Sequence, residues 1–238
     1  MAGSFLLPIG RLADMYGGYL VFNVGMAWFV LWCLIGGFST NYTMLICCRA
    51  MQGLGVAAHL PTGIMLFGLV YRPGPRKNRV FALYGAVCPI GFFLGMAIGG
   101  LAEETLSWRW YFWLGTLPSL VGCAVSFLAI PRRAIEAKAT KIPMDWWGAV
   151  SIVSGLMLLV YSVTDSARAT QGWKSPHIIA TAMLGVILLG LATFVEGWVS
   201  KSPLIPRDIF AEKYMKRMIL CLFIEYGVFG IYLFYSTF

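Results

Sequence analysis

The sequence predicts an all-α membrane protein with seven full spans and one truncated span at the N-terminus. Two observations support this fold class. Of the 238 residues, 59% are hydrophobic and only 12% are charged, about half the charged fraction of soluble domains. The apolar residues also fall into runs of roughly 20 residues, the length that a helix needs to cross a bilayer. A water-soluble globule is therefore nearly excluded.

The apolar runs define the expected helices in order. The first run, Ala2–Ile9, rises only about 12 Å as a helix, far short of a hydrocarbon core of about 30 Å. We therefore expect the chain to begin inside a truncated span. A turn is expected over Gly10–Gly18, where glycine permits a tight reversal and Asp14 can cap a helix. Seven full spans follow, each too long for a buried strand: Tyr19–Phe38, Tyr42–Tyr71, Val80–Leu101, Trp110–Ile130, Trp146–Thr164, Ile178–Val195 and Met218–Phe238.

The net charge of +8 arises from loops at alternate ends of the spans. Of the 18 Lys and Arg residues, 14 lie in every second connection, beginning with the Gly10–Gly18 turn, three lie in the other connections, and Arg49 lies inside a span. Positively charged loops stay on the cytoplasmic side, so we expect the first turn to be cytoplasmic. Nucleic-acid binding instead needs one clustered basic face, and we expect no nucleic-acid partner.

Polar side chains inside the second full span are the strongest functional signal. Arg49 lies about 10 Å from the outer end of this span at the helical rise. An arginine at that depth costs several kcal/mol unless it faces a cavity or a partner. At about 100° per residue, one sector of about 80° contains Arg49, Gln52, Val56 and His59. The pattern predicts a functional polar face, with an arginine that only fixes packing as the alternative.

Two other features give weaker signals. Gly91, Gly95 and Gly99 recur every four residues, with Gly100 adjacent, and such a stripe lets another helix approach closely. Simple packing is the alternative for the stripe. Glu225 is the only acid deep inside a span, and an intramembrane carboxylate is by default a proton or cation site. A neutral acid satisfied by neighbouring helices is the alternative for Glu225.

Catalytic and metal chemistry find little support in the sequence. The six cysteines lie in apolar stretches without the paired spacing of zinc or redox sites, and we interpret them as small packing residues. His59 and His177 are the only histidines, and no clustered nucleophile, base or ligand set accompanies them. We therefore expect no enzyme activity, no cofactor and no metal.

Three motifs in this order and spacing resemble the major facilitator superfamily. Gly10–Gly17 resembles the signature loop between that family's second and third helices. Cys48–Gly55 resembles its fourth-helix motif, and Gly91–Gly100 its fifth-helix antiporter motif. Other segments are similar to the fungal drug:proton antiporter branch with 14 helices: Trp108–Phe112, Asp145–Gly148, Gly172–Trp173 and Pro203–Pro206. Two further segments lean toward its aminotriazole-resistance and boron-efflux type: Cys47–Ala50 and Tyr71–Gly74.

The resemblance implies a partial major facilitator helical bundle, a fragment covering about helices two to nine. Residues 1–131 would be an N-terminal half lacking its first helix, residues 132–200 two central linker helices, and residues 201–238 the first helix of the C-terminal half. The implied function is proton-coupled export of small drug-like or toxic compounds by alternating access, with the proton gradient as the energy source. A truncated, non-transporting fragment and a seven-helix receptor are the alternatives.

The resemblance also implies roles for individual residues. Proton coupling is carried onto Arg49, with Gln52 beside it, and Glu225 is the candidate for a second titrating group. The sequence does not identify the substrate-binding residues; His59 is one candidate, with a packed histidine as the alternative. The conformational motifs, in which Asp14 is implied to latch the two halves, comprise Gly10, Asp14, Gly17, Gly53, Gly91, Gly95, Gly99 and Gly100. The sequence departs from the family patterns at Met15, Gly18, Tyr19 and Met96.

Partners and location follow from the same resemblance. We expect a small-molecule substrate and the lipid bilayer as partners, and a monomer for the complete protein. A multi-pass protein of the plasma membrane is expected, with the vacuolar membrane as the alternative. The substrate cannot be read from the sequence, because apolar residues that line a cavity resemble those that face lipid.

Overall fold

The computed structural model describes residues 1–130, 143–169, 172–200, 203–204 and 214–236, with side chains as far as residue 232. This part of the chain forms eight α-helices. In order they are α1 (Ala2–Tyr16), α2 (Gly18–Gly37), α3 (Tyr42–Val70), α4 (Pro75–Thr105), α5 (Trp108–Ala129), α6 (Trp146–Ser166), α7 (Pro176–Phe194) and α8 (Met215–Ser236). A 3₁₀ turn, Gly172–Lys174, precedes α7, and a π-helical turn, Val195–Val199, extends it.

Six helices of the described chain, α2 to α7, are long and apolar enough to cross a bilayer. Their bounds lie within a few residues of the first six predicted spans, which confirms the all-α membrane fold. The seventh predicted span, Met218–Phe238, corresponds to α8. Its last two residues, Thr237 and Phe238, lie outside the described part.

The starts of several helices follow from local chemistry. Pro75 and Pro176 occupy the first turns of α4 and α7, where a helix does not use the missing N–H. Asp145 caps α6, because its Oδ1 accepts a hydrogen bond from the Gly148 N–H at 3.0 Å. Such a side-chain cap satisfies one of the amide groups that the first turn leaves without a helical partner.

The turn expected over Gly10–Gly18 is wrong. Helix α1 continues through Gly10 to Tyr16, and only Gly17 separates it from α2. Gly17 has φ 99°, a conformation that glycine adopts far more readily than residues with a Cβ. Asp14 lies in the last turn of α1, so it does not occupy the expected position at a helix start.

Helices α2, α3 and α5 form the packed centre of the described chain. A Cβ added at Gly25 of α2 would lie 2.5 Å from the Cβ of Ala58 in α3, and one added at Gly55 would lie 3.0 Å from backbone atoms of α2. The two helices therefore cross at near backbone contact, as small residues permit in membrane bundles. Between α2 and α5, Ser126 Oγ donates a hydrogen bond to Asn23 Oδ1, which satisfies two buried polar groups.

Helices α6 and α7 pack as a hairpin that also touches α1. Gly155 and Gly185 face each other, because a Cβ added at either would lie within 3.2 Å of the other's carbonyl oxygen. At the far end of α6, Asp165 Oδ2 lies 3.1 Å from His177 Nε2. This pair is exposed, and exposed ion pairs contribute little to stability.

Helix α4 is largely exposed and connects the packed centre to α8. It contacts α3 and α5, and the ring centroids of Phe92 and Phe229 lie 5.9 Å apart between α4 and α8. Both predicted domain boundaries, 131/132 and 200/201, involve residues outside the described part. The division into residues 1–131, 132–200 and 201–238 therefore stays a prediction. Several basic residues of two predicted cytoplasmic connections also lie outside the described part: Arg132, Arg133, Lys138, Lys141, Lys201, Arg207 and Lys213.

Candidate functional site

Arg49 and Gln52 form a hydrogen-bonded pair on the predicted polar face of α3. Arg49 Nη1 donates to Gln52 Oε1 at 3.4 Å, and Gln52 Nε2 donates to the carbonyl oxygen of Trp32 in α2 at 3.1 Å. Gln52 is only 5% exposed, so burial and both hydrogen bonds orient its amide. Gln52 thus links the guanidinium of Arg49 to the backbone of α2.

The guanidinium of Arg49 lies against two aromatic rings of α5. Its Cζ is 5.1 Å from the ring centroid of Tyr111 and 4.5 Å from that of Phe112. At these distances the negative face of an aromatic ring attracts a cation. The side chain of Arg49 is exposed, and among the described residues no carboxylate lies within ion-pair distance of it.

Two adjoining cavities open beside Arg49 between α3, α4 and α5. We call them the outer cavity, of about 570 Å³, and the inner cavity, of about 390 Å³. Glu103 and Trp108 line only the outer cavity, and Gln52 and Val56 line only the inner one. The residues that both cavities share are Arg49, Gly95, Gly99, Tyr111 and Phe112. An intramembrane arginine that faces a cavity keeps access to water or solutes, so the geometry favours a functional role over packing alone.

The glycine stripe of α4 lines the outer cavity. Gly91, Gly95, Gly99 and Gly100 all border it. A Cβ added at Gly91, Gly95 or Gly100 would meet nothing within 4 Å in the described part, whereas one at Gly99 would lie 3.0 Å from the ring of Tyr111. Among the described residues the stripe therefore provides open space in a cavity. Its predicted close contact with another helix stays a prediction.

His59 lies about 15 Å further along α3 than Arg49 and lines a different cavity. Its Nδ1 is 2.9 Å from the carbonyl oxygen of Gly55, and its ring contacts Phe22 and Phe29 of α2. The cavity beside it, of about 570 Å³, extends toward the end of α3 at Val70. The structure thus brings Arg49, Gln52 and Val56 to one cavity and places His59 in another, and a role of His59 in substrate binding stays a prediction.

The residues of the loop motif lie on α1 and at its junction with α2. Arg11 Nη1 and Asp14 Oδ2 are 4.0 Å apart, one turn apart on α1. A Cβ added at Gly10 would meet nothing within 4 Å in the described part of the chain. Gly53 of α3 packs against the start of α1, since a Cβ there would lie 3.1 Å from the Cβ of Met1. The implied latch of Asp14 between two transporter halves stays a prediction.

Two carboxylates differ in their relation to the cavities. Glu225 is exposed on α8, and no described residue of α8 lines the outer or the inner cavity. Its role as a second titrating group stays a prediction. Glu103, which sequence reasoning missed, lines the outer cavity together with Arg49. The available signal was its spacing, because Glu103 continues the four-residue series of Gly95 and Gly99.

The cysteines divide into two groups in the structure. Cys33, Cys48 and Cys123 are buried, and Cys47, Cys88 and Cys221 are exposed. All six are free thiols. The predicted packing role therefore fits the buried three, which lie in α2, α3 and α5.

Apolar helices of spanning length surround a cavity that contains a charged side chain. This combination is typical of integral membrane transporters, in which solutes reach polar groups inside the bundle. The family model of the Major Facilitator Superfamily matches residues 1–238. The chain belongs to this superfamily.

Individual relatives support the same family. The chain is 36% identical to the aminotriazole resistance protein of Saccharomyces cerevisiae, over 99% of this chain and 44% of the relative. It is 32% identical to the low affinity ammonium transporter of the same yeast, over 98% of this chain and 46% of the relative. It is also 32% identical to efflux pump terJ of Aspergillus terreus, over 98% of this chain and 46% of the relative.

These matches confirm the resemblance drawn from the motifs, including that to the aminotriazole-resistance type. The chain spans less than half the length of the curated relatives it matches, as a partial bundle predicts. The activity of the whole protein is therefore a matter for proposal and experiment.

Proposed function

We propose that the chain is part of a proton-coupled exporter of small drug-like or toxic compounds that works by alternating access. The observation that carries this proposal is the position of Arg49. Its guanidinium faces two cavities inside the bundle, without an ionic partner among the described residues. A charge at this depth is costly and marks ion and substrate pathways. If Arg49 only fixed the packing of helices, its guanidinium would be buried away from water with all of its N–H groups hydrogen-bonded.

The walls of the outer cavity favour flat compounds of low polarity. Aromatic side chains line it from two helices: Phe92 of α4, and Trp108, Tyr111 and Phe112 of α5. Aromatic walls stabilise planar ligands by stacking, and the volume of about 570 Å³ is typical of small-molecule sites. The names of two relatives, an aminotriazole resistance protein and an efflux pump, support small toxic compounds as substrates.

Arg49 couples proton and substrate through electrostatics. A fixed positive charge stabilises the ionised form of a nearby carboxylate and opposes proton binding. Arg49 now lies against α5 and faces α4 across the cavity. Movement of α3 relative to these helices changes how strongly Arg49 stabilises the ionised carboxylate. The carboxylate therefore binds a proton in one state and releases it in the other. Alternating access places the two events on opposite sides of the membrane.

The proposal includes a location and a set of partners. Export of toxic compounds from the cell needs a protein of the plasma membrane, with the vacuolar membrane as the alternative destination. The partners are the bilayer and a small-molecule substrate, and the complete protein is a monomer. Microscopy of a fluorescent fusion distinguishes the two membranes.

Vesicles with an imposed pH gradient test the proposed function. The complete gene product is reconstituted into vesicles with an acidic lumen, and uptake of two compounds, radiolabelled aminotriazole and ethidium, is measured. We call these compounds the probe panel. Antiport exchanges lumenal protons for external compound, so at least one probe accumulates severalfold above the level in protein-free vesicles.

Two control experiments accompany the vesicle assay. Residues 1–238 alone, reconstituted in the same way, test whether this segment transports by itself. An ionophore that dissipates the pH gradient tests the coupling. Protein-dependent uptake that is unchanged after the gradient is dissipated contradicts proton coupling and leaves only facilitated diffusion.

A further inference from the structure

Glu103 shares the outer cavity with the intramembrane arginine. It lies in the last turn of α4, four residues after Gly99 and eight after Gly95, and all three residues line the outer cavity with Arg49. The side chain of Glu103 is exposed, so water at the mouth of the cavity reaches its carboxylate. Arg49 lies deeper, about seven residues into α3.

Three other charged or titratable residues lie near the mouth of the outer cavity: Arg109, Tyr111 and Glu104. Arg109, on α5, donates a hydrogen bond from Nη2 to the Ser39 carbonyl oxygen at 3.4 Å, and its Cζ lies 5.5 Å from the ring of Trp108. Tyr111 contributes its ring to the wall beneath Arg49. Glu104 follows Glu103 directly on α4 but does not line the outer cavity among the described residues.

The outer cavity is therefore lined by one carboxylate and one guanidinium, which do not form an ion pair with each other in the described chain. Protonation of Glu103 would change the charge that lines the cavity from zero to +1. Such a change alters the electrostatic energy of any compound in the cavity and of any movement of Arg49. Glu103 is thus placed where binding of a proton from the outer side changes the cavity's charge.

We infer that Glu103 is the carboxylate that accepts the proton from the outer side of the membrane in the transport cycle. This inference rests on the proposed function and deepens it. When the transported compound leaves the outer cavity, a proton from external water binds a carboxylate oxygen of Glu103 and forms a neutral acid. The proton is released to the cytoplasmic side after the helices have moved. No covalent bond to the substrate and no redox step is involved.

The variant Glu103→Gln tests this inference, because glutamine imitates the protonated acid in size and cannot release a proton. Two activities of the complete gene product are measured with the probe panel in vesicles. One is accumulation driven by a pH gradient. The other is counterflow, the exchange of internal for external compound at equal pH, which needs no net proton movement. We expect gradient-driven accumulation to fall by about tenfold or more, whereas counterflow remains measurable and no longer depends on pH.

Glu104→Gln is the matched control, since it removes the same charge one residue away and outside the cavity. It retains both activities. A wild-type protein without gradient-driven transport contradicts the proposed function and this inference with it. A gradient-driven wild type, together with a Glu103→Gln variant that is equally gradient-driven, contradicts this inference alone.

Glu103→Asp keeps the test decisive if the glutamine variant loses counterflow through misfolding. Aspartate retains a carboxylate on a shorter side chain, so the inference predicts gradient-driven accumulation with an altered dependence on external pH. Counterflow without gradient-driven accumulation in Glu103→Asp contradicts the inference.

Discussion

Arg49→Ala lowers gradient-driven transport of the probe panel by about tenfold or more, because it removes the cation that faces both cavities. Initial rates in vesicles with an imposed pH gradient measure the effect, at matched amounts of reconstituted protein. Arg49→Lys is the graded control. It keeps the charge and loses the planar guanidinium over Tyr111 and Phe112, so it restores only part of the rate. Undiminished proton-driven transport by Arg49→Ala removes the proposed role of this residue.

Gln52 provides a second control for the same result. Gln52→Leu removes the hydrogen bonds to Arg49 and to the Trp32 carbonyl oxygen. If the amide acts by positioning the guanidinium, this substitution lowers transport in the wild-type background and has little further effect in Arg49→Ala. Residues that act as one unit show such non-additivity. Equal fractional losses in both backgrounds would show that Gln52 acts independently of Arg49.

Gly25→Val causes a large loss of stability, because it would force the backbones of α2 and α3 apart. Even the first added carbon would lie 2.5 Å from the Cβ of Ala58 and 3.1 Å from the backbone nitrogen of His59. The α2–α3 crossing must open to accept it, and overpacking of this kind costs roughly 1–3 kcal/mol or more. Thermal unfolding of the purified complete protein in detergent measures the change as a lower midpoint temperature.

Gly85→Val is the matched control for this prediction. Gly85 lies inside α4, and a Cβ added there would meet nothing within 4 Å in the described part. Valine in that helix carries only its own propensity difference from glycine, a few tenths of a kcal/mol. Similar unfolding midpoints for the two valine variants would contradict the close crossing of α2 and α3.

The spanning helices could be predicted from the sequence because their signal is local. A run of about 20 apolar residues has few alternatives to a membrane helix, and α2, α3 and α6 begin within a residue of the predicted starts. Arg49 and Gln52 could be paired from helical spacing alone, since residues three apart lie on one face. Both predictions need only the geometry of a single helix.

The C-terminal end of α1 was predicted less accurately, because the sequence signal at that point was a single glycine. The glycine at position 10 suggested a turn, yet α1 continues past it to Tyr16. A single glycine inside a helix costs only about 1 kcal/mol, and the packing of α1 on α3 offsets that cost. The reversal requires glycine only at Gly17, where φ is positive.

The cavities could not be predicted, because they depend on how helices distant in sequence pack together. Helical spacing on α3 alone placed His59 on the same face as Arg49. The two residues lie about 15 Å apart along the helix axis, however, and they line different cavities. The glycine stripe borders the open outer cavity in the described part of the chain, a position that its spacing alone does not predict. Glu103 and Arg49 line one cavity because α4 packs beside α3 and α5.

Proton movement driven by the substrate is the most direct measurement of coupling. Vesicles that contain the complete gene product and a lumenal pH dye start at equal internal and external pH, and a compound of the probe panel is added outside. Antiport exchanges entering compound for lumenal protons, so proton coupling through Arg49 predicts an alkaline shift of the lumen that is lost in Arg49→Ala. Entry of the compound through the wild-type protein with no change in lumenal pH would contradict proton coupling.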